Sequence, residues 1–571
     1  MRSALIHAAV LLWATCAPAQ GRLQFEPCLN ESLMGQTAAE PDGIPKLGVT
    51  TRLVTVSVVA RDKNGNPVID LTREDFILIE ESKPVKIEIL ALESERFGPG
   101  PAPALPPGIY TNRIAERGSP PASVSVILLD AVNTRIPNQN YAREKMVGFL
   151  RQIEAGDRIA VYALDRSGLY AVHDFSADSA SLVAALSRYR ARYPFGYDPV
   201  IPAAGAASNA SATDEEGASA FADRMNRFLS QAEQAWTDLH DTQRVQTTTA
   251  AFRAIASRLA RFPGRKNLIW ISSGLPLATG ADAMVPLIVN SPGRRFSREV
   301  EQAARELSSA GVAVYPVDAR GLMGAVTAPA QDRGSARPPR DRSPVFEDTA
   351  SGVGAMELIA AVTGGRAFRN RNDIDRAVRN AVDDARCSYT LGYYPTHGKW
   401  DGRFVRIAVK SKRPGVELRA RSGYYATAKP QWTERELIAR LEDAALSPVD
   451  ATAVGIAVRP ARPEEAAPAT LKFTIDIDPR DVSLVFERGR WTGAIDVMLV
   501  QQSADGGIVS RSAQTFDLLF SPEECDRMRR DGLVIDHAVD TRQNASRLRV
   551  VVHDSRSGAL GTVTVPLGRI P

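Results

Sequence analysis

The sequence predicts a doubly wound (Rossmann-like) α/β domain combined with β-sandwich domains in one multidomain chain. Three observations predict it. Buried-strand patterns alternate with amphipathic helical patterns from Val124 to about Ala385. Short β-rich runs stand on both sides of that region. The chain has 571 residues, too many for a single hydrophobic core.

At the N-terminus, Arg2 precedes an apolar run from Ala4 to Trp13, and Ala17-Pro18-Ala19 follows. This reads as a secretory signal over residues 1–19, too short for a membrane-spanning helix. Cys16 raises a lipoprotein alternative, but Trp13-Ala14-Thr15 lacks the small residue usual beside such a cysteine. No other apolar segment is long enough to span a bilayer, so the expected product is exported: periplasmic, on the cell surface or extracellular.

Residues 20–48 read as a linker. From residue 49 to 95 the text is β-rich, with a tight turn at Asp62-Lys63-Asn64-Gly65-Asn66. A Pro/Gly-rich stretch covers 97–121. The α/β domain is expected over 122–386. Its strands are Ser125–Asp130, Asp157–Leu164, Lys266–Ser273 and Gly311–Asp318. One helix sets Met146, Phe149, Leu150 and Ile153 on one face, and another sets Phe252, Ile255, Leu259 and Phe262. Residues 196–216 and 322–350 read as mobile excursions. Strands return over 388–427. Residues 432–445 look helical, and about six short strands complete a C-terminal sandwich over 432–571. Ser521-Pro522-Glu523-Glu524 opens a short helix with a capping box. The strands at 49–95 and 388–427 are each too few to bury a face alone. They are expected to pair into one β-sandwich with the α/β domain inserted.

Composition narrows the function. Hydrophobic residues make up 44% and charged residues 24%, ordinary values for a globular chain. A net charge of +4, with scattered basic residues, gives no ground for nucleic-acid binding. Cys28, Cys387 and Cys525 have no metal-ligand spacing; one pair could be a disulfide, or all three isolated thiols.

Asp130 carries the most information. A continuous apolar run ends in it, and Ala131-Val132-Asn133-Thr134 follows. In open α/β sheets, ligands bind outside the carboxyl ends of the strands. Leu128-Leu129-Asp130-Ala131-Val132-Asn133-Thr134 and Pro263-Gly264-Arg265-Lys266-Asn267-Leu268-Ile269-Trp270-Ile271-Ser272-Ser273-Gly274 resemble a von Willebrand factor type A domain. With Val68–Asp75, Tyr389–Pro395 and Arg421–Tyr425, residues 50 to 427 resemble the exported type A proteins abundant in Acidobacteria. The resemblance implies Mg²⁺ (or Mn²⁺) at the top of the sheet, recruiting an acidic group from a protein partner. Mg²⁺ requires hard oxygen ligands. The family pattern D-x-S-x-S gives Asp130 and Thr134 as ligands, with Thr248, among Thr247–Thr249, on a second loop. Val132 stands where the first serine belongs, and Ser273 where a third-loop aspartate belongs, so the site is degenerate.

The implied function is an exported, non-enzymatic protein-interaction or adhesion-type module. A structural envelope protein without metal is the alternative. A phosphohydrolase using Asp130 as nucleophile lacks the second carboxylate of D-x-D-x-T, because Val132 stands there. Asp383-Asp384 lie in a helical pattern and read as a solvated face. Ile271-Ser272-Ser273-Gly274 is not a nucleophile elbow. The tyrosines at 389, 393, 394, 424 and 425 read as cross-strand packing rather than a sugar platform.

Overall fold

The structure is a computed structural model. It describes residues 53–94, 108–113, 123–154, 156–192, 216–262, 264–275, 297–321, 347–426, 432–460 and 470–567. The expected signal and the 20–48 linker lie outside the described residues, as do most of both excursions and Cys28.

The architecture is mixed α/β with several sheets. Strands β1 (Val54–Arg61), β2 (Phe76–Glu80), β3 (Lys83–Val85) and β4 (Ile89–Ser94) begin it. In β1 the alternate residues Val54, Val56 and Val58 are buried, as expected of a half-buried strand. A two-residue strand, β5 (Tyr110–Thr111), lies within the stretch expected to be a plain linker. It is held by the buried Asn112, which donates to the carbonyls of Ala451 (2.7 Å) and Val454 (2.8 Å) and accepts from the Ile456 amide. Proline and glycine around it masked that signal.

The α/β region follows: β6 (Val124–Asp130), α1 (Ile136–Leu150), β7 (Ile159–Asp165), β8 (Gly168–Ser176), α2 (Ser179–Arg188), α3 (Glu216–Leu259), β9 (Lys266–Ser272), α4 (Ser297–Ser309), β10 (Val312–Asp318), α5 (Glu347–Thr363) and α6 (Ile374–Arg386). Its sheet has the order β10-β9-β6-β7-β8, and only β8 runs antiparallel. The four parallel strands are buried along their whole length, which is why they read as continuous apolar runs. Helices cover both faces. Val245, Phe252, Ile255 and Leu259 of α3 pack on the Leu128 and Trp270 side, and Met146, Phe149 and Leu150 of α1 pack on the Ile127 and Ile271 side.

Strands β11 (Cys387–Tyr393), β12 (Phe404–Ser411), β13 (Glu417–Arg419) and β14 (Gly423–Tyr425) return to the first four. The two four-stranded sheets have orders β13-β1-β11-β4 and β14-β12-β2-β3, so segments some 300 positions apart alternate within one sandwich. At its centre, Glu80 is buried and accepts from Tyr393 Oη (2.9 Å), Tyr424 Oη (2.9 Å) and Thr396.

After α7 (Glu434–Leu446) come β15 (Ile456–Pro460), β16 (Thr470–Ile477), β17 (Val485–Glu487), β18 (Arg490–Gln502), β19 (Ile508–Phe520), α8 (Pro522–Asp531), β20 (Leu533–Asp540), β21 (Arg547–Asp554) and β22 (Leu560–Pro566). The capping box on α8 is formed by Ser521 and Glu524. The sequence reading passed over β15 and β19. Half of β19 faces solvent on both sides and has no apolar run to announce it.

Both β modules join the α/β region by hydrogen bonds at the end of the sheet opposite Asp130. Asp384 is buried, not solvated as its helical pattern suggested. Its carboxylate accepts from Arg61 (2.7 Å), Arg419 and Tyr315 Oη (2.9 Å). The buried Arg265 donates to Ser57 Oγ (3.0 Å) and Tyr315 Oη (2.9 Å). On the C-terminal module, Thr452 donates to the carbonyls of Ser257 and Arg258 at the end of α3. Cys387 and Cys525 are free thiols.

Candidate functional site

Three of the four parallel strands end in a buried aspartate: Asp130 on β6, Asp165 on β7 and Asp318 on β10; β9 ends in the buried Ser272. The parallel sheet places them along one edge by register, with Ser272 beside Asp318 and Leu128 beside Trp270. Asp318 is taken by Arg320, whose Nε and Nη2 donate to its two oxygens at 2.9 Å. The Asp165 carboxylate accepts from the Ser167 amide at 2.8 Å.

Asp130 is 2% exposed, and four donors converge on it. Its Oδ1 accepts from the Asn133 amide (3.0 Å). Its Oδ2 accepts from Asn133 Nδ2 (2.7 Å), Trp270 Nε1 (2.9 Å) and Ser272 Oγ (2.9 Å). A buried carboxylate without such donors would cost several kcal/mol. Burial still prevails over the four bonds and pushes this carboxyl above its usual range.

Asn133 is the pivot. Its Nδ2 also donates to Thr248 Oγ1 at 2.8 Å, and its Oδ1 accepts from Arg244 Nε at 3.0 Å. One amide nitrogen therefore stands between Asp130 and Thr248, with the Arg244 guanidinium behind it. A hydrogen-bonded path thus runs from Asp130 through the Asn133 amide to the Arg244 guanidinium.

The structure thus brings Asp130 and Thr248 to one place, bridged by Asn133. Thr134 is buried in the same loop, and its Oγ1 accepts from the Ser273 amide at 3.1 Å. Val132 is fully buried in the core under α3, packed with the cluster that holds Leu128 and Trp270. Thr249 bonds back to the Val245 carbonyl, the ordinary habit of a helical threonine. Asn133, Trp270 and Arg244 were missed by a reading that sought hydroxyl and carboxylate ligands, and Ser272 was weighed there only for hydrolase chemistry. The signal available for Trp270 and Ser272 was their period-two spacing on β9, which puts both on one face.

A Mg²⁺ ion needs about six oxygen ligands in near-octahedral order. Asp130 Oδ2 already accepts three hydrogen bonds, and an N–H donor lies between it and Thr248. The residues as arranged do not fit the ion. Among the described residues no group of three or more His, Cys, Asp or Glu is placed to hold a metal.

No protein-family model matches the chain, and no curated relative matches it. Several solved structures align over part of it. One is an aerotolerance-related membrane protein from Bacteroides fragilis NCTC 9343, 16% identical over 46% of this chain and 98% of its own, with a TM-score of 0.24. Another is the conserved hypothetical protein BatB from Bacteroides thetaiotaomicron, 15% identical over the same shares, also with a TM-score of 0.24. The N-terminal domain of TFIIH p34 is 12% identical over 45% of this chain and 96% of its own, with a TM-score of 0.20. Likenesses at these TM-scores do not identify a fold.

Beside the sheet, a cleft of about 700 Å³ opens between α3 and the C-terminal module. Arg166, Arg253, Arg440, Glu299, Glu306 and Asp443 line it with mixed charge. Among the described residues no helix is long and apolar enough to cross a membrane.

Proposed function

We propose that residues 122–386 are a von Willebrand factor type A domain and that the protein is an exported, non-enzymatic interaction module. It engages a protein partner at the carboxyl end of its parallel sheet and does so without a metal ion. The observation that carries this reading is the Asn133 amide nitrogen held between Asp130 and Thr248. An amide in that place supplies the positive end of a dipole where the type A resemblance expects a cation, and it keeps the loop closed without a metal ion. Asp130 is then an organiser of the loop. With three donors on Oδ2 it is poorly disposed to attack a substrate or to shuttle a proton, which argues against the phosphohydrolase reading. Both β modules make their hydrogen-bonded junctions at the opposite end, which leaves the Asp130 loops for a partner.

The test is calorimetric titration of the full chain with Mg²⁺ and with Mn²⁺, using Asp130→Ala as control. The metal-free reading expects no binding heat in either protein. A heat present in the parent and absent from Asp130→Ala restores metal-dependent recognition of an acidic group.

A further inference from the structure

Helix α3 has 44 residues, about 66 Å at the usual helical rise. Among its described residues, the buried positions Val245, Thr248, Phe252, Ile255 and Leu259 all lie in its last third, from Val245 onward. The stretch ahead of Val245 is about 44 Å long by the same rise. It carries four large apolar side chains in solvent: Met225 (42% exposed), Phe228 (66%), Trp236 (49%) and Leu239 (48%). No comparable set of exposed large apolar residues gathers on any other described helix.

Their spacing is not random. With Ala232, which is also exposed, they stand at 225, 228, 232, 236 and 239. At about 100° per residue these five positions fall within an arc of about 80°. The set is also symmetric about Ala232: Met225 and Leu239 are seven residues to either side, and Phe228 and Trp236 four. Two such helices laid antiparallel, crossing at Ala232, place Phe228 of each against Trp236 of the other and Met225 against Leu239. The small residue stands at the crossing, where backbones must approach most closely. Self-complementarity about a two-fold axis is what an isologous interface requires.

We propose that this stretch of α3 is a homodimerisation element, occupied by the same stripe of a second copy. The area approaches that of the smallest specific interfaces. The four side chains expose roughly 400 Å² per copy, so about 800 Å² of apolar surface goes under when two copies meet. The flanking exposed Gln231 and Ala235 bring the contact toward the roughly 1,200 Å² at which specific interfaces begin. An apolar strip of this size matches the largest patch a typical monomer exposes, and such patches often mark interaction sites. Because α3 also carries Thr248, a dimer joined along the stretch ahead of Val245 would present two Asp130 sites from one assembly. That last step rests on the function proposed above; the dimer itself does not.

Sedimentation velocity on the full chain tests the interface. The parent is expected to sediment as a dimer at about 10 µM, and the Phe228→Glu/Trp236→Glu variant as a monomer with an unchanged far-UV spectrum. Under oxidation, Ala232→Cys is expected to give a disulfide-linked dimer that the parent's own cysteines do not give. Arg227→Cys, on the opposite side of the helix, is expected to stay uncrosslinked. A parent that is monomeric at 100 µM overturns the proposal, and so does a dimer that survives the double substitution. A monomer whose Trp236 emission is blue-shifted at every concentration overturns it too, and assigns the stripe to cover from this chain's own residues.

Discussion

Replacing Asn133 tests the amide-for-cation arrangement most directly. Its side chain makes three bonds: to Asp130 Oδ2 (2.7 Å), to Thr248 Oγ1 (2.8 Å) and from Arg244 Nε (3.0 Å). In Asn133→Ala the backbone amide still reaches Asp130 Oδ1, so the loop keeps one tie. Losing a bond to a buried carboxylate costs about 1.5–3 kcal/mol and a neutral bond about 1 kcal/mol. The expected loss of local stability is therefore about 2.5–4 kcal/mol, with the Arg244 bond adding to it. Hydrogen exchange of the β6 and β9 amides reads this opening energy directly, without assuming that a multidomain chain unfolds in two states. Asn133→Asp sharpens the test. It puts a second carboxylate where the amide stood, close to Asp130, and removes the shared donor. In EDTA it is expected to lose more than Asn133→Ala, and millimolar Mg²⁺ is expected to restore part of the loss by mass action. The parent is expected to be indifferent to Mg²⁺. A loss below about 1 kcal/mol in Asn133→Ala would refute the reasoning, because a central donor to a buried carboxylate cannot be dispensable.

Three further outcomes are expected. Lys266 is buried, and desolvation pulls its ammonium down to about 8 while its Nζ donates to the carbonyls of Ala260 and Ala310. The unfolded chain holds that proton to higher pH, so stability should rise between pH 8 and 10 by on the order of 2 kcal/mol. Denaturant titrations at pH 7.5 and 9.5 should show the rise, and Lys266→Met should flatten it. Burial pushes Glu80 up, but the bonds from Thr396, Tyr393 and Tyr424 together hold it below the usual carboxyl range. Its contribution should therefore be present at neutral pH and fade as pH falls through its folded value. Glu80→Gln, which sets an amide donor against donors, should cost about 2–3 kcal/mol at pH 7 and remove part of the acid dependence, read by near-UV circular dichroism against pH. A protease site placed between residues 97 and 107 should, after cleavage, leave the two pieces co-eluting, because β1 lies between β11 and β13; separation under native conditions would overturn the interleaved sandwich.

The sequence by itself determined the class of structure. A strand buried on both faces must be apolar throughout, and a helix on such a sheet must repeat every three to four residues. Hence β6, β9 and β10, and the buried faces of α1 and α3, were legible as text. The place of Asp130 followed from the same logic, since the apolar run ends where the strand does. Tertiary structure decided the rest. Asp384 reads as a solvated helical residue until Arg61, from a strand far away in sequence, and Arg419, from β13, arrive beside it. Residues 108–113 read as a linker until Asn112 finds the carbonyls of Ala451 and Val454. Asn133 matches no ligand pattern. Its role exists because α3 delivers Thr248 and Arg244 to the same point. Periodicity is a local property and survives in one dimension. The partner of a buried polar group is chosen by the whole fold, and only three dimensions record it.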